Sequence, residues 1–130
     1  MKTKIDVFVF IGHDYFGPRN KVKRRYRMSI ERALKTASKK IQIKLHPLYG
    51  DTIPSDVVKI LSKNETLPKN LSSEYYWEKI IAFISLAQLV IMDLRPHSNP
   101  KDLVNLNVLL ELGVAYGIIP RRIILAKNRI

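Results

Sequence analysis

One acidic residue stands in an otherwise apolar stretch near the carboxyl end of the sequence. Residues 106–113 read LNVLLELG, and Glu111 is the only charge among them. At helical spacing Asn107 lies one turn before Glu111 and projects from the same side. A carboxylate on an apolar helix is costly unless it is paired, hydrogen-bonded or turned toward a polar cleft. Glu111 is therefore a candidate catalytic carboxylate, and the alternative is a structural ion pair with Arg95, Arg121 or Arg122.

A second acid, Asp93, closes the apolar run QLVIMDL. If that run is a strand of a parallel sheet, its carboxyl end lies at the edge where α/β proteins bind ligands. Asp93 is then either a cap for a loop or a ligand for ribose hydroxyls. We expect it to face water and to contribute little to the core.

A loop that could hold a nucleotide follows the first apolar run. It begins with Gly12, His13, Asp14 and Tyr15, contains a second glycine, and leads into a predicted helix. Backbone N–H groups and the helix dipole suit a phosphate, and an aromatic side chain suits a base. The spacing matches neither the Rossmann fingerprint nor the P-loop. The competing interpretation is a turn whose aromatic side chains pack under the helix.

Two other kinds of chemistry find little support. The sequence contains no cysteine, which excludes disulfides, thiolate metal sites and cysteine nucleophiles. His13, His46 and His97 each follow a predicted strand and are expected along one edge of the sheet. None of them shares a short chelating motif with another, so no metal site is expected.

The periodicity of apolar residues places these side chains on an alternation of strands and helices. Strands are predicted at Ile5–Ile11, Ile41–Leu45, Gln88–Leu94 and Arg122–Lys127, and helices at Asn20–Lys39, Pro54–Lys63, Ser73–Leu86 and Leu103–Tyr116. This order predicts one α/β domain over residues 1–130, a flavodoxin-like three-layer sandwich. Its parallel sheet should have four or five strands in the order 2-1-3-4, with the ligand crevice at the carboxyl ends of strands 1 and 3.

The last helix, apolar nearly all round, is predicted to be mostly buried. Gly113 and Gly117 would let it approach the sheet closely. The second strand, Ile41–Leu45, is predicted to be closed by His46-Pro47 and to lie near an edge of the sheet.

Positive charge is concentrated in the first helix. The net charge is +12, and residues 1–50 hold 13 bases and 3 acids. The charges of the segment Arg19 to Arg27 fall between predicted core positions Val22, Tyr26 and Ile30. This segment is therefore interpreted first as a solvent-exposed helix face and only second as a nucleic-acid site. The longest uncharged run, residues 80–92, is too short to span a bilayer. With no signal peptide recognised, we expect a cytoplasmic protein without a membrane partner.

Three segments together resemble known families. FVFIGHD, LVIMDL and NVLLELGVAYG are similar to prokaryotic TIR-like nucleotide-binding proteins and to the related nucleoside 2-deoxyribosyltransferases. The resemblance implies a flavodoxin-like sheet and cleavage or transfer at an N-glycosidic bond of NAD or a nucleoside. Glu111 would act at the anomeric carbon, Asp93 would touch the sugar, and Gly12, His13 and Asp14 would bound the pocket.

The resemblance also implies a set of partners. The expected ligand is a nucleotide or nucleoside, with NAD as a possible substrate and no cofactor, and the expected assembly is a homo-oligomer. The alternatives are a TIR-like module that senses nucleotides or self-associates without chemistry, and a basic nucleic-acid-binding domain.

Overall fold

The computed structural model describes residues 5–13, 20–50, 55–63, 76–95, 106–119 and 122–126. The strands in these ranges are β1 (Ile5–Gly12), β2 (Ile43–Tyr49), β3 (Leu89–Asp93) and β4 (Ile123–Ala126), and the helices are α1 (Asn20–Lys40), α2 (Ser55–Lys63), α3 (Tyr76–Leu86) and α4 (Leu106–Ile118). None of the helices in this part of the chain combines the length and the apolar character that a bilayer crossing requires.

The four described strands form one parallel sheet in the order β2-β1-β3-β4. The predicted α/β class, flavodoxin-like arrangement and strand order are therefore confirmed. β1 lies in the interior, where Phe10 pairs with Leu48 of β2 on one side and with Val90 of β3 on the other. The direction of winding reverses between β1 and β3, so their carboxyl ends lie together at the edge where α/β proteins bind ligands.

Each face of the sheet has its own apolar core. Phe8 and Phe10 of β1 point to the face that α2, α3 and α4 cover, together with Val90 and Met92 of β3. Val9 and Ile11 point to the opposite face; the residues that pack with them include Leu34 of α1 and Tyr49. Alternate residues of a strand face opposite sides of the sheet, which explains why the run IDVFVFI is apolar at nearly every position.

Two predictions about these elements are wrong. β2 does not end before Pro47 but continues through it to Tyr49. Among the described strands β2 lies at the edge of the sheet and pairs with β1 alone. Proline is tolerated in an edge strand because the N–H that it lacks can be one that would point away from the neighbouring strand, where no hydrogen bond between strands is lost.

The second correction concerns α4, which is only half buried. Val108, Glu111 and Ala115 face the protein, whereas its outer side is exposed and uncharged: Leu109, Leu110, Gly113, Tyr116 and Gly117. A Cβ added at Gly113 or Gly117 would meet nothing within 4 Å. The glycines therefore lie on the exposed side and do not bring the helix close to the sheet.

A buried hydroxyl connects α1 to the edge strand. Ser38 donates to the backbone carbonyl of Leu34 at 2.7 Å and accepts from the backbone N–H of Leu45 at 3.0 Å. The first bond is a local one within the helix, whereas the second fixes the position of β2 relative to α1.

We expect Ser38→Ala to lower the free energy of unfolding by about 1–2 kcal/mol, because the Leu45 N–H loses its acceptor in a buried place. The measurement is urea denaturation followed by circular dichroism. Ser29→Ala, on the exposed side of the same helix, is the matched control and should change stability by less than about 0.5 kcal/mol. Equal effects of the two substitutions would contradict a connecting role for Ser38.

Candidate active site at the carboxyl edge of β1 and β3

The predicted crevice is built from the ends of two paired strands. Gly12, the last residue of β1, pairs with Met92 of β3. His13 and Asp93 each come one position later, so they are neighbours at the same edge. Their side chains point to the α1 face of the sheet, because Gly12 and Met92 point to the α4 face.

Glu111 reaches this edge from the other side. It is only 2% exposed, and its Oε2 atom would lie 3.1 Å from a Cβ at Gly12. A side chain at Gly12 would also collide with the sulfur of Met92. The missing side chain of Gly12 is therefore what makes room for the carboxylate of α4 beside the central strand.

The surroundings of Glu111 differ partly from those expected. Asn107, one turn earlier on α4, is exposed, whereas Glu111 is buried. The burial reflects position along the helix: Asn107 lies in the first turn, and Glu111 lies where α4 approaches the end of β1. Arg95, which was considered as a structural partner of Glu111, is bonded to Asp93 instead.

Asp93 does not face water, contrary to the expectation, and is 2% exposed. Its Oδ1 accepts from the backbone N–H of Arg95 at 3.0 Å and from Arg95 Nε at 2.8 Å. Its Oδ2 accepts from Arg95 Nη2 at 2.6 Å and from the Tyr26 hydroxyl at 2.5 Å. This two-pronged pair and the tyrosine hold the carboxylate in a fixed orientation.

The electrostatics follow from these bonds. Burial, followed by the hydrogen bond to Asp93, raises the pKa of Tyr26 well above its usual value. The hydrogen bonds to Asp93 likewise raise the pKa of Arg95. At neutral pH Tyr26 therefore keeps its proton and donates it in the bond to Asp93, and Arg95 keeps its positive charge. The Asp93 carboxylate is thus held by one hydroxyl donor and one cation in fixed positions.

His13 joins this network through aromatic contacts. Its Nε2 accepts from Arg27 Nε at 3.1 Å, so this nitrogen carries no proton in the bond. The His13 ring lies 4.7 Å from that of Tyr26 and 6.0 Å from that of Tyr49. The Arg27 guanidinium lies over the Tyr49 ring at 4.1 Å from its centroid, an attractive cation–π geometry.

Tyr26 and Arg27 belong to this site although the sequence pattern does not single them out. The apolar spacing of α1 predicts Tyr26 in the core and Arg27 on an exposed basic face, but Arg27 is buried. A signal was present: Arg27 precedes Leu34 by seven residues and therefore lies on the same buried stripe of α1. Asp14 and Tyr15, the other two residues predicted for the loop, lie outside the described residues.

The predicted residues thus meet at one edge but on two faces of the sheet. Glu111 and Gly12 lie on the α4 face, whereas His13 and Asp93 lie on the α1 face with Tyr26 and Arg27. The structure thus places a buried carboxylate on one face, and on the other the carboxylate of Asp93, whose orientation is fixed by its hydrogen bonds to Tyr26 and Arg95.

The two described histidines, His13 and His46, do not lie at one edge of the sheet. His46 lies inside β2, where its Nε2 is 2.7 Å from Asp6 Oδ1, and His97 lies outside the described residues. Within the ranges that the structure describes, no group of three or more histidines, cysteines or acids could hold a metal ion.

We expect Gly12→Ala to lower the free energy of unfolding by about 1–3 kcal/mol, because the new methyl group would displace Met92, which is fully buried, and press on Glu111. Chemical denaturation measures the loss. Gly113→Ala is the matched control: this glycine has open space around it, and alanine there should stabilise the helix by about 0.5–1 kcal/mol.

A double-variant cycle sharpens this test. If the clash with Met92 carries the cost, then Gly12→Ala combined with Met92→Ala should lose less stability than the sum of the two single variants. Strict additivity would show that the cost of Gly12→Ala does not arise from a clash with Met92.

We expect Asp93→Asn to destabilise the fold by about 1–3 kcal/mol, because it removes the charge that the Arg95 guanidinium and the Tyr26 hydroxyl bind. Asp56→Asn, which removes a carboxylate from the exposed first turn of α2, should cost no more than about 0.5 kcal/mol. Urea denaturation compares the two. If Asp93→Asn left the free energy of unfolding unchanged, the bonds to Arg95 and Tyr26 would not stabilise the fold, as expected for an acid that faces water.

Comparisons of this chain with protein-family models, with curated proteins and with solved structures find no match. The family resemblance suggested by the sequence motifs therefore stays a hypothesis, and the function is argued from the residues of the site.

Proposed function

We propose that this chain binds a nucleotide or nucleoside at the carboxyl edge of β1 and β3 and cleaves or transfers at its N-glycosidic bond, with Glu111 as the catalytic carboxylate. The observation that carries the proposal is the place of Glu111: a carboxylate 2% exposed, beside the side-chain-free position Gly12 at the winding reversal of the sheet. Buried acids in such a place are candidates for catalysis.

The chemistry needs a carboxylate at this point. When the C1′–N bond of a ribosyl group breaks, its electron pair leaves with the base and positive charge develops on C1′. A desolvated carboxylate stabilises that charge electrostatically or captures C1′ in a covalent ester. Water or the nitrogen of a second base then bonds to C1′, which gives hydrolysis or transfer respectively. Where an ester had formed, its C1′–O bond breaks and returns the carboxylate, and the proton of the incoming group passes to the departed base or to solvent.

The remaining residues would position the substrate. The bonds that Asp93 makes to Tyr26 and Arg95 leave it less available to ribose hydroxyls than the sequence suggested, so we assign it a positioning role. Asn107, exposed one turn before Glu111 on α4, would contact the sugar. The TIR-like and deoxyribosyltransferase-like motifs are in agreement with this proposal, in which NAD or a nucleoside is the substrate.

A second candidate function is a module that binds a nucleotide and self-associates without chemistry. The observation in its favour is the exposed, uncharged outer side of α4 defined above, centred on Gly113 and Tyr116. A chain of net charge +12 repels its own copies, and a face without charge is where two copies meet at least cost. Homo-oligomer formation is thus part of both candidates.

The deciding experiment compares the wild-type chain and Glu111→Gln with NAD and with purine and pyrimidine nucleosides, and follows free base by chromatography. Glutamine keeps the volume and the hydrogen-bonding capacity but removes the charge. We expect the wild type to release base and the variant to be slower by at least about a hundredfold, the usual scale for loss of a transition-state charge.

Glu78→Gln is the matched control, because Glu78 is an exposed glutamate on the neighbouring helix α3; it should retain wild-type turnover. If the wild type releases no base but binds the nucleotide and changes its sedimentation rate, the self-associating module is the better description. Equal base release by wild type and Glu111→Gln would make Glu111 a structural residue.

A further inference from the structure

One face of the sheet is only partly covered. α2, α3 and α4 pack on one face, and α1, the one described helix on the other, lies over β2 and β1. By register, Ile91, Ile124 and Ala126 share the α1 face. Ile124 is 50% exposed. Parallel sheets are normally covered on both faces. Among the described residues of this face, Ile91 of β3 is only partly buried against the α1-side core, and Ile124 of β4 lies open.

A groove runs between this open part of the sheet and α1. We call it the α1 groove; it is lined on the helix by Ser29, Ala33, Thr36 and Ala37, and on the sheet by Ile91 and Ala126. The part nearer the sheet has a volume of about 580 Å³ and the part toward the end of α1 about 500 Å³, and they share Ser29 and Ala33.

The shape of the α1 groove fits a helix. Ser29, Ala33 and Thr36 follow each other at intervals of four and three residues, so they form one stripe along α1. Small side chains on such a stripe allow the axes of two helices to approach to about 8 Å. From Arg25 to Lys40 the stripe extends about 22 Å, the length of a helix of about 15 residues.

The rim of the α1 groove is positively charged. Arg25, Arg32 and Lys40 border it on α1, and Arg95 borders it at the end of β3; all four are exposed. Among the described residues that line it, the one acid is Asp93, which is buried and bound by Arg95 and Tyr26. The electrostatic field along the groove therefore favours an occupant with carboxylates on its flanks.

We propose that the α1 groove is the docking site for an acidic amphipathic helix of a partner protein, whose apolar side lies on Ile91 and Ala33 and whose carboxylates meet the arginines of the rim. A second copy of this chain fits less well, because its own α1 would place the same cations against Arg25 and Arg32. A nucleic acid would use the rim, but its phosphates gain nothing from the apolar floor.

The test uses fluorescein-labelled helical peptides of about 15 residues and the full chain, with binding followed by fluorescence anisotropy. The test peptides carry leucines along one side of the helix, at different spacings, and glutamates elsewhere. One control set replaces the glutamates by lysines. A second control set keeps the acidic composition but spreads the leucines around the helix. We expect only acidic peptides with a continuous leucine side to bind.

Two variants localise the binding. Ala33→Gln fills the exposed stripe of α1 and should weaken binding at least about tenfold without loss of thermal stability, since Ala33 is exposed. Arg25→Glu should weaken it by about tenfold, whereas Arg24→Glu, the same charge change at an exposed residue that does not line the groove, should have a much smaller effect.

Four results would overturn the proposal. Failure of every acidic peptide with a leucine side, or equal sensitivity to Arg24→Glu and Arg25→Glu, would exclude the groove as a site for acidic helices. Tight binding of DNA or RNA oligonucleotides that displaces the peptide and is lost in both arginine variants would make α1 a nucleic-acid surface. A dimer in sedimentation that dissociates in Ala33→Gln would show that a second copy occupies the groove.

Discussion

The burial of β1 on both faces is the constraint on which the other features of this protein depend. Phe8 and Phe10 are covered by three helices on one face, while Val9 and Ile11 pack against α1 and Tyr49 on the other. A strand of this kind must have a neighbour on each side, and β1 pairs with β2 and β3. The carboxyl end of β1 is therefore held in a fixed position, and it is there that the polar residues meet.

Gly12 connects this constraint to the candidate chemistry. The strand ends in a residue without a side chain, directly where α4 passes, and the carboxylate of Glu111 lies in the space that a Cβ would restrict. On the opposite face the same strand end places His13 against Tyr26 and Arg27. Two consecutive backbone positions thus face different groups: Gly12 lies beside the buried carboxylate of Glu111 on α4, and His13 lies in the network with Tyr26 and Arg27 of α1.

The charges of α1 serve different purposes along the helix. Arg27 is turned inward, where it binds His13 and lies over Tyr49, whereas Arg24 and Arg25 are exposed. The net charge alone suggests a surface for polyanions, but the burial of Arg27 shows that part of it stabilises the site. The exposed apolar side chains likewise form two separate surfaces. The outer side of α4 carries no charge, whereas the α1 groove is bordered by cations.

The sequence by itself determined the alternation of strands and helices, the strand order and the edge at which the candidate residues lie, because apolar periodicity and the handedness of crossovers depend on local pattern. It also singled out Glu111, since a lone charge in LNVLLELG is visible without coordinates. It could not show that Asp93 is bound by Tyr26 and Arg95, because Tyr26 is distant in sequence and meets Asp93 only when α1 packs on the sheet. Nor could it show that the outer side of α4 is exposed: composition measures how apolar a helix is, whereas only tertiary packing decides which of its sides meets another element.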